Sequence, residues 1–500
     1  MAVEQITTGV ARLLFSLLRT DGSLAQKTVR GGFLVFLSFG LRKALGIVRS
    51  IVLARLLVPS DFGLMGLVSV CTMALVTFTE TGINMAIIQR KDCDVSTLNT
   101  GWMLSIFRGL FLFTSLFLIS PYAASFFEAL PLQSLLRVMS VTFLVESFNN
   151  VGVILLLKEL DFKRQMYFEV TTDFMTVLIT IILAFFLKSV WALVFGLLAK
   201  SVISLIASFL IHPFRPRVEF DLQRARDLMS YGKYVLGSAI IIYFTTQGDD
   251  ALVGKILGTS ALGFYTMAYT VSNMPATTIT GVISKVTFPA YSKLQDDLES
   301  LQKAFLRTLK FISILSFPLA GGLFVLAPEI VVVVFGDKWM PMVPAMRVLC
   351  LFGAIRSMAD TTGPVYQAVG KPQIVFYITT FKLSLIAIFI YPLTRLLGIF
   401  GTSLAVTIPM MIEQGILWRI LSNTIGVEIS KTIVTILPSL CSTFLMVVLL
   451  YFLTNVVNYR FSVFYLISWV ALGALIYLVC LYLFDRSIVA EVKRLVSFSI

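Results

Sequence analysis

Long apolar runs, each near twenty residues and each closed by charges or by Pro and Gly, follow one another along almost the whole chain. An α-helix needs about 20 mostly apolar residues to cross a hydrocarbon core roughly 30 Å thick. Lipid offers no water to stray backbone groups, so a spanning segment must satisfy its own N–H and C=O groups. Runs of this length do so as helices and not as barrel strands. The pattern therefore predicts an all-α, polytopic membrane protein of about fourteen spans. They lie near 33–57, 62–84, 97–119, 134–156, 167–187, 189–211, 232–254, 260–284, 306–327, 341–365, 373–392, 397–418, 431–454 and 461–484.

The charges between the runs fix an orientation. With a cytoplasmic N-terminus, 25 Lys and Arg fall on the inner side of this layout and five, Lys188, Lys255, Lys338, Arg395 and Arg460, on the outer. Cytoplasmic loops retain positive charge, so both termini are expected in the cytoplasm. Composition agrees: 58% of the 500 residues are hydrophobic and 13% charged. The net charge of +13 fits anionic headgroups and cytoplasmic loops, since no soluble basic domain exists to hold nucleic acid. Residues 8–19, apolar with Arg12 and Arg19, read as an interfacial amphipathic helix and not as a signal peptide. The five cysteines lack paired or metal-ligand spacing, and the single histidine, His212, ends an apolar run as an interfacial residue.

An internal repeat is visible at a spacing of 200 residues. RSIVLARLLVPSDFGLM at 49–65 lies over DDALVGKILGTSALGFY at 249–265 without a gap, matching Arg55 with Lys255, Ser60 with Ser260 and Gly63 with Gly263. Both copies fall at corresponding spans, which predicts two parallel, pseudo-symmetric six-helix lobes. The expected organisation is an interfacial segment over 1–32, an N-lobe over 33–211, a basic cytoplasmic linker over 212–231 and a C-lobe over 232–421. Two further spans and the C-terminus occupy 422–500.

Charges inside the spans are the candidate functional residues, because one facing lipid at a helix centre costs at least roughly 2.5–3.5 kcal/mol. The first span holds Arg42, Lys43, Arg49 and Arg55, with Arg42 and Arg49 seven residues apart on one face. Arg55 and Lys43 can snorkel; Arg49, mid-span, does so poorly. A water-filled cationic cavity is the reading that follows, with Arg108, Lys255 and Arg356 as further members. Such a cavity suits an anionic headgroup, because guanidinium offers a planar fork of donors matched to phosphate oxygens. Glu80, Asp249, Asp250 and Asp360 are candidate coupling or gating acids, although Arg356 and Asp360, one turn apart, could simply pair. No phosphate-binding loop, nucleophile elbow or metal-spaced His/Cys set occurs, so neither catalysis nor a cofactor is expected.

ARLLVPSDFGL at 54–64, TETGINMAIIQRK at 79–91, ALGFYTMAYTVSNMP at 261–275, FPAYSKLQDD at 288–297 and VFGDKW at 334–339 together resemble the oligosaccharide flippases of the multidrug/oligosaccharidyl-lipid/polysaccharide exporter superfamily. The similarity runs from Ser23 onward and is nearest to the Wzx-type subgroup exporting colanic or teichuronic acid units. It implies a fourteen-helix, two-lobe flippase with a central cavity lined by the first, second, seventh and eighth spans. Its implied cargo is polyprenyl (undecaprenyl) pyrophosphate-linked oligosaccharide, with H⁺ or Na⁺ as a candidate coupling ion and other polysaccharide-assembly proteins as candidate partners. KALGIVRS at 43–50 is similar to a basic first-span motif of lipid II flippases, with Lys43 and Arg49 on its basic positions and Ser50 where that motif is acidic. A drug/cation antiporter of the same superfamily, which would favour an acid-lined site, and a membrane polysaccharide polymerase or ligase, which would need large outer loops, remain the competing readings.

Overall fold

A computed structural model describes residues 24–80, 82–89, 94–230, 232–456 and 462–485. The helix expected over 8–19, Arg90, Lys91 and Cys93 lie outside the described residues. Every regular element among them is helical, as the backbone argument requires. The first unit comprises Met1–Leu57 and Val68–Ile240, the second Val58–Leu67 and Ile241–Ile500.

In chain order the helices are α1 (Leu24–Leu56), α2 (Pro59–Phe78), α3 (Ile83–Gln89), α4 (Val95–Phe126), α5 (Pro131–Ser147), α6 (Val153–Lys158), α7 (Phe162–Leu187), α8 (Trp191–Ile211) and α9 (Leu222–Ser230). They continue with α10 (Gly232–Ser272), α11 (Gly281–Lys293), α12 (Leu298–Val325), α13 (Val343–Ala368), α14 (Pro372–Ile425), α15 (Ile429–Val456) and α16 (Val463–Phe484). Local signals set several starts. Asp94, Asp161 and Asp297 accept hydrogen bonds from the amides of Thr97, Arg164 and Ser300, capping α4, α7 and α12. Large apolar side chains such as Phe186, Leu210 and Phe464 stand exposed on the helix exteriors, where lipid and not water is the matching solvent.

Ten helices among the described residues are long and apolar enough to cross a membrane, a tally that does not reproduce the expected fourteen. Two of the ten double back. In α14 the Lys382 ammonium lies 2.9 Å from a Glu413 carboxylate. A straight helix would separate residues that far apart by roughly 45 Å. The reversal occurs at Gly398, whose φ of 62° is open to glycine and costly for other residues. In α10 Tyr265 reaches Asp249 across a similar break at Gly258, where φ is 81°. The charged α1 and the 17-residue α5 account for further differences.

Within the first unit α4 packs on α5, α7 on α8 and α1 on α7. The segment 212–230 is clipped to the same unit. Asn150 donates to the carbonyl of Phe214 at 2.7 Å, Asn99 donates to Glu219 at 2.7 Å, and Arg224 bridges Asp94 and Asp221. The Arg224 guanidinium and the Thr97 hydroxyl hold the Asp94 carboxyl well below the usual carboxylate range. His212 is structural, its Nδ1 accepting the Phe214 amide at 3.1 Å.

Within the second unit α12 packs against α13 and α15, and α13 against α14. Phe305, Leu309 and Tyr366 are fully buried between them. The start of α2 belongs here too, crossing α10 glycine against glycine. A Cβ on Gly63 would lie 1.6 Å from the Thr259 carbonyl oxygen, and one on Gly263 would lie 1.8 Å from that of Pro59. Each obstacle is the residue four before the other glycine, so the repeat meets itself reciprocally. Trp339 seals this crossing, fully buried between Phe62 and Phe264.

Gly63→Ala and Gly263→Ala are each expected to destabilise the protein by about 1–3 kcal/mol, since backbone must move to admit the methyl. Gly415→Ala, with nothing within 4 Å of the added carbon, should not. Thermal unfolding in detergent, followed by fluorescence, checks all three.

Candidate functional site

The basic face of α1 packs on α7, which in turn packs on α8. Arg42 donates through Nη1 to Glu169 at 2.8 Å and through Nε to Asp173 at 2.5 Å. The other Asp173 oxygen takes the Lys200 ammonium of α8 at 2.9 Å, and Ser38 and Gln165 donate to Glu169. Two cations thus meet two carboxylates in a neutral network that ties three helices together.

Arg49 sits two turns further along α1, roughly 10 Å from Arg42. It is partly buried and makes no hydrogen bond or ion pair among the described residues, although the Asp173 carboxylate acts on it at longer range. Lys43 is partly buried, and Arg55 is exposed close to the end of α1. The α1 surface therefore divides into a neutralised part at Arg42 and a cationic part at Arg49.

Of the remaining predicted residues, Arg108 and Glu80 belong to the first unit and Lys255, Asp249, Asp250, Arg356 and Asp360 to the second. Arg108 of α4 reaches the Val76 carbonyl at 3.0 Å and Glu80 at 3.4 Å, while the other Glu80 oxygen accepts the Gly82 amide. This pair lines a cavity of about 390 Å³ in the first unit with Ser105, Glu146, Asn149 and Ser204. Lys255 of α10 is exposed. Asp249, buried, accepts from the Tyr265 hydroxyl at 2.6 Å, and its other oxygen is buried without a hydrogen-bond partner. Asp250 next to it is partly buried.

Arg356 and Asp360 line a second cavity, of about 590 Å³, inside the second unit. They do not bond to each other: Arg356 donates to the Tyr269 hydroxyl at 2.9 Å, and Asp360 accepts from the Thr280 hydroxyl at 2.9 Å. The Lys382–Glu413 ion pair shares their cavity. Among the described residues no group of His, Cys, Asp and Glu could hold a metal ion.

The geometry belongs to a known line of proteins. Residues 52–344 match the model of the family described as polysaccharide biosynthesis protein. This chain belongs to that family. It is 30% identical to the lipopolysaccharide biosynthesis protein WzxC of Escherichia coli K12 over 72% of this chain and 74% of that one. It is 26% identical to an uncharacterized membrane protein in the cps region of Klebsiella pneumoniae, over 95% and 98% of the two chains. A solved structure of lipid II flippase MurJ in its inward closed conformation superposes with a TM-score of 0.70 at 16% identity, covering 92% of this chain and all of that one. The resemblance read from the motifs and the all-helical membrane fold are both borne out.

In this polysaccharide biosynthesis protein the charged residues were found from sequence, but their groupings were not. Arg42 meets partners 127 and 131 residues away, which no local spacing announces. Gln367 and Thr379 of the second cavity carried no signal, being single polar residues of ordinary type.

Asp173→Asn removes one charge from beneath both Arg42 and Lys200. It should lower stability by about 1–3 kcal/mol, whereas the double variant with Lys200→Met should recover part of that loss. Melting curves of the purified single and double variants provide the test.

Proposed function

We infer that this protein carries polyprenyl-pyrophosphate-linked oligosaccharide from the cytoplasmic to the outer leaflet of the inner membrane, for surface polysaccharide biosynthesis, without catalysing a chemical step. The observation that supports this most is Arg49. A guanidinium mid-span, partly buried and with no hydrogen bond or ion pair of its own among the described residues, is costly unless something anionic visits it. A pyrophosphate crossing lipid has the converse need. Lys43 and Arg55 of the same helix add charge for the headgroup, with Arg108 and Lys255 as further cationic candidates; Arg356, set among Asp360, Lys382 and Glu413, is less suited to it. The similarity to WzxC, a lipopolysaccharide biosynthesis protein, and to lipid II flippase MurJ supports the same cargo.

In this reading residues 33–211 and 232–421 form the two lobes, 212–231 the cytoplasmic linker and 422–500 an appended pair of spans, working by alternating access with both termini inside. Glu80, Asp249, Asp250 and Asp360 are the candidate acids for a coupling ion, H⁺ or Na⁺, and other polysaccharide-assembly proteins are the expected neighbours.

Cells depleted of the protein should accumulate lipid-linked oligosaccharide on the cytoplasmic leaflet and lose surface polymer, measured by leaflet-selective labelling and mass spectrometry. Normal delivery of unpolymerised units to the outer leaflet would favour a polymerase or ligase. Unchanged glycolipid would favour an antiporter. Arg49→Ala should lower export by at least about tenfold at normal abundance, the order expected for loss of one charge-assisted contact. Arg49→Lys should retain part of it. Reporter fusions at residue 228 and at the C-terminus should both report cytoplasm.

A further inference from the structure

The two groups of charges in this chain differ in balance, and that difference assigns separate tasks. On α1 the Arg42 network is neutral and Arg49 remains as net positive charge. Among the described residues of its wall the cavity of the second unit is instead balanced: Arg356 and Lys382 are matched in number by Asp360 and Glu413. A balanced cavity has no net attraction for a pyrophosphate. It does offer alternating donors and acceptors at fixed positions, which is what an uncharged, hydroxyl-rich molecule requires.

The details of the wall point the same way. Arg356 uses one contact on Tyr269, leaving most of its five N–H donors for other partners. The Gln367 amide, which both donates and accepts, and the Thr379 hydroxyl have no side-chain hydrogen-bond partner among the described residues. Tyr269 and Phe352, with ring centroids 5.9 Å apart, and the exposed ring of Phe288 supply aromatic surface on the same cavity. Sugar rings present hydroxyls around their edge and C–H groups on their faces. Polar side chains interleaved with aromatic rings are complementary to both. The volume of about 590 Å³ lies within the roughly 300–1,000 Å³ of small-molecule sites. The cavity of the first unit is less suited, because its Arg108 and Glu80 are engaged with each other and with backbone.

We propose that the second-unit cavity lined by Tyr269, Phe352, Arg356, Asp360, Gln367 and Thr379 is a glycan subsite, binding a sugar ring of the transported lipid-linked oligosaccharide. The proposal rests on the flippase reading and adds to it a site for the sugar.

The test uses the purified full-length protein in detergent with two probes. One is the undecaprenyl-pyrophosphate oligosaccharide extracted from cells depleted of the protein; the other is undecaprenyl pyrophosphate without sugar. The wild type should bind the sugar-bearing lipid more tightly by calorimetry. Gln367→Ala and Thr379→Val, at partly or fully exposed positions where folding is not at stake, should each weaken that lipid by about fivefold, the worth of one hydrogen bond. Neither should change binding of the bare lipid. Equal wild-type affinity for both probes, or variants that weaken both alike or neither, would overturn the glycan subsite. Arg49→Ala should weaken both probes equally. If it weakens neither while the sugar-dependent difference persists, the headgroup role of Arg49 fails and the glycan subsite stands.

Discussion

An ionic side chain among apolar helices must find an opposite charge, water or a ligand, and the placement of helices in this protein follows from that requirement. A single charge facing lipid costs at least roughly 2.5–3.5 kcal/mol, a sizeable fraction of the stability of a whole domain. Arg42, Lys200, Glu169 and Asp173 cancel one another and in doing so join α1, α7 and α8. Lys382 and Glu413 cancel across the two arms of α14. These pairs specify which faces meet, a task that apolar contacts perform weakly in lipid because hydrocarbon tails are as apolar as leucine. Once they are accounted for, the charge at Arg49 stands apart, and a functional reading can begin there.

The class of the protein was open to sequence reading because hydropathy reports directly on the solvent each segment will meet. The number of crossings is a separate matter. Chain reversal at Gly398 and Gly258 leaves hydrogen-bonded helix on both sides, so continuity of helix and number of crossings are different quantities here. The charged α1 shows the opposite failure: its residues satisfy the length of a span but not its polarity.

Site residues were legible as types and illegible as partnerships. Spacing by one turn suggested that Arg356 would pair with Asp360, yet each has turned to a hydroxyl supplied from elsewhere in the chain, Tyr269 and Thr280. Arg42, Lys43 and Arg49 read as one cluster along α1, but the acids that bond Arg42 and leave Arg49 without an ion pair among the described residues come from α7. Helical periodicity reveals which residues share a face. It contains nothing about the face opposite, which is decided by packing between segments more than a hundred residues apart.

The contact of Gly63 with the Thr259 backbone is mirrored by that of Gly263 with the backbone of Pro59. A patch that meets its own counterpart has the form of an isologous interface, in which the same surface serves both partners. A side chain gained at either glycine would push on the backbone that leads to the other, so two positions 200 residues apart constrain one another although each is free to mutate alone.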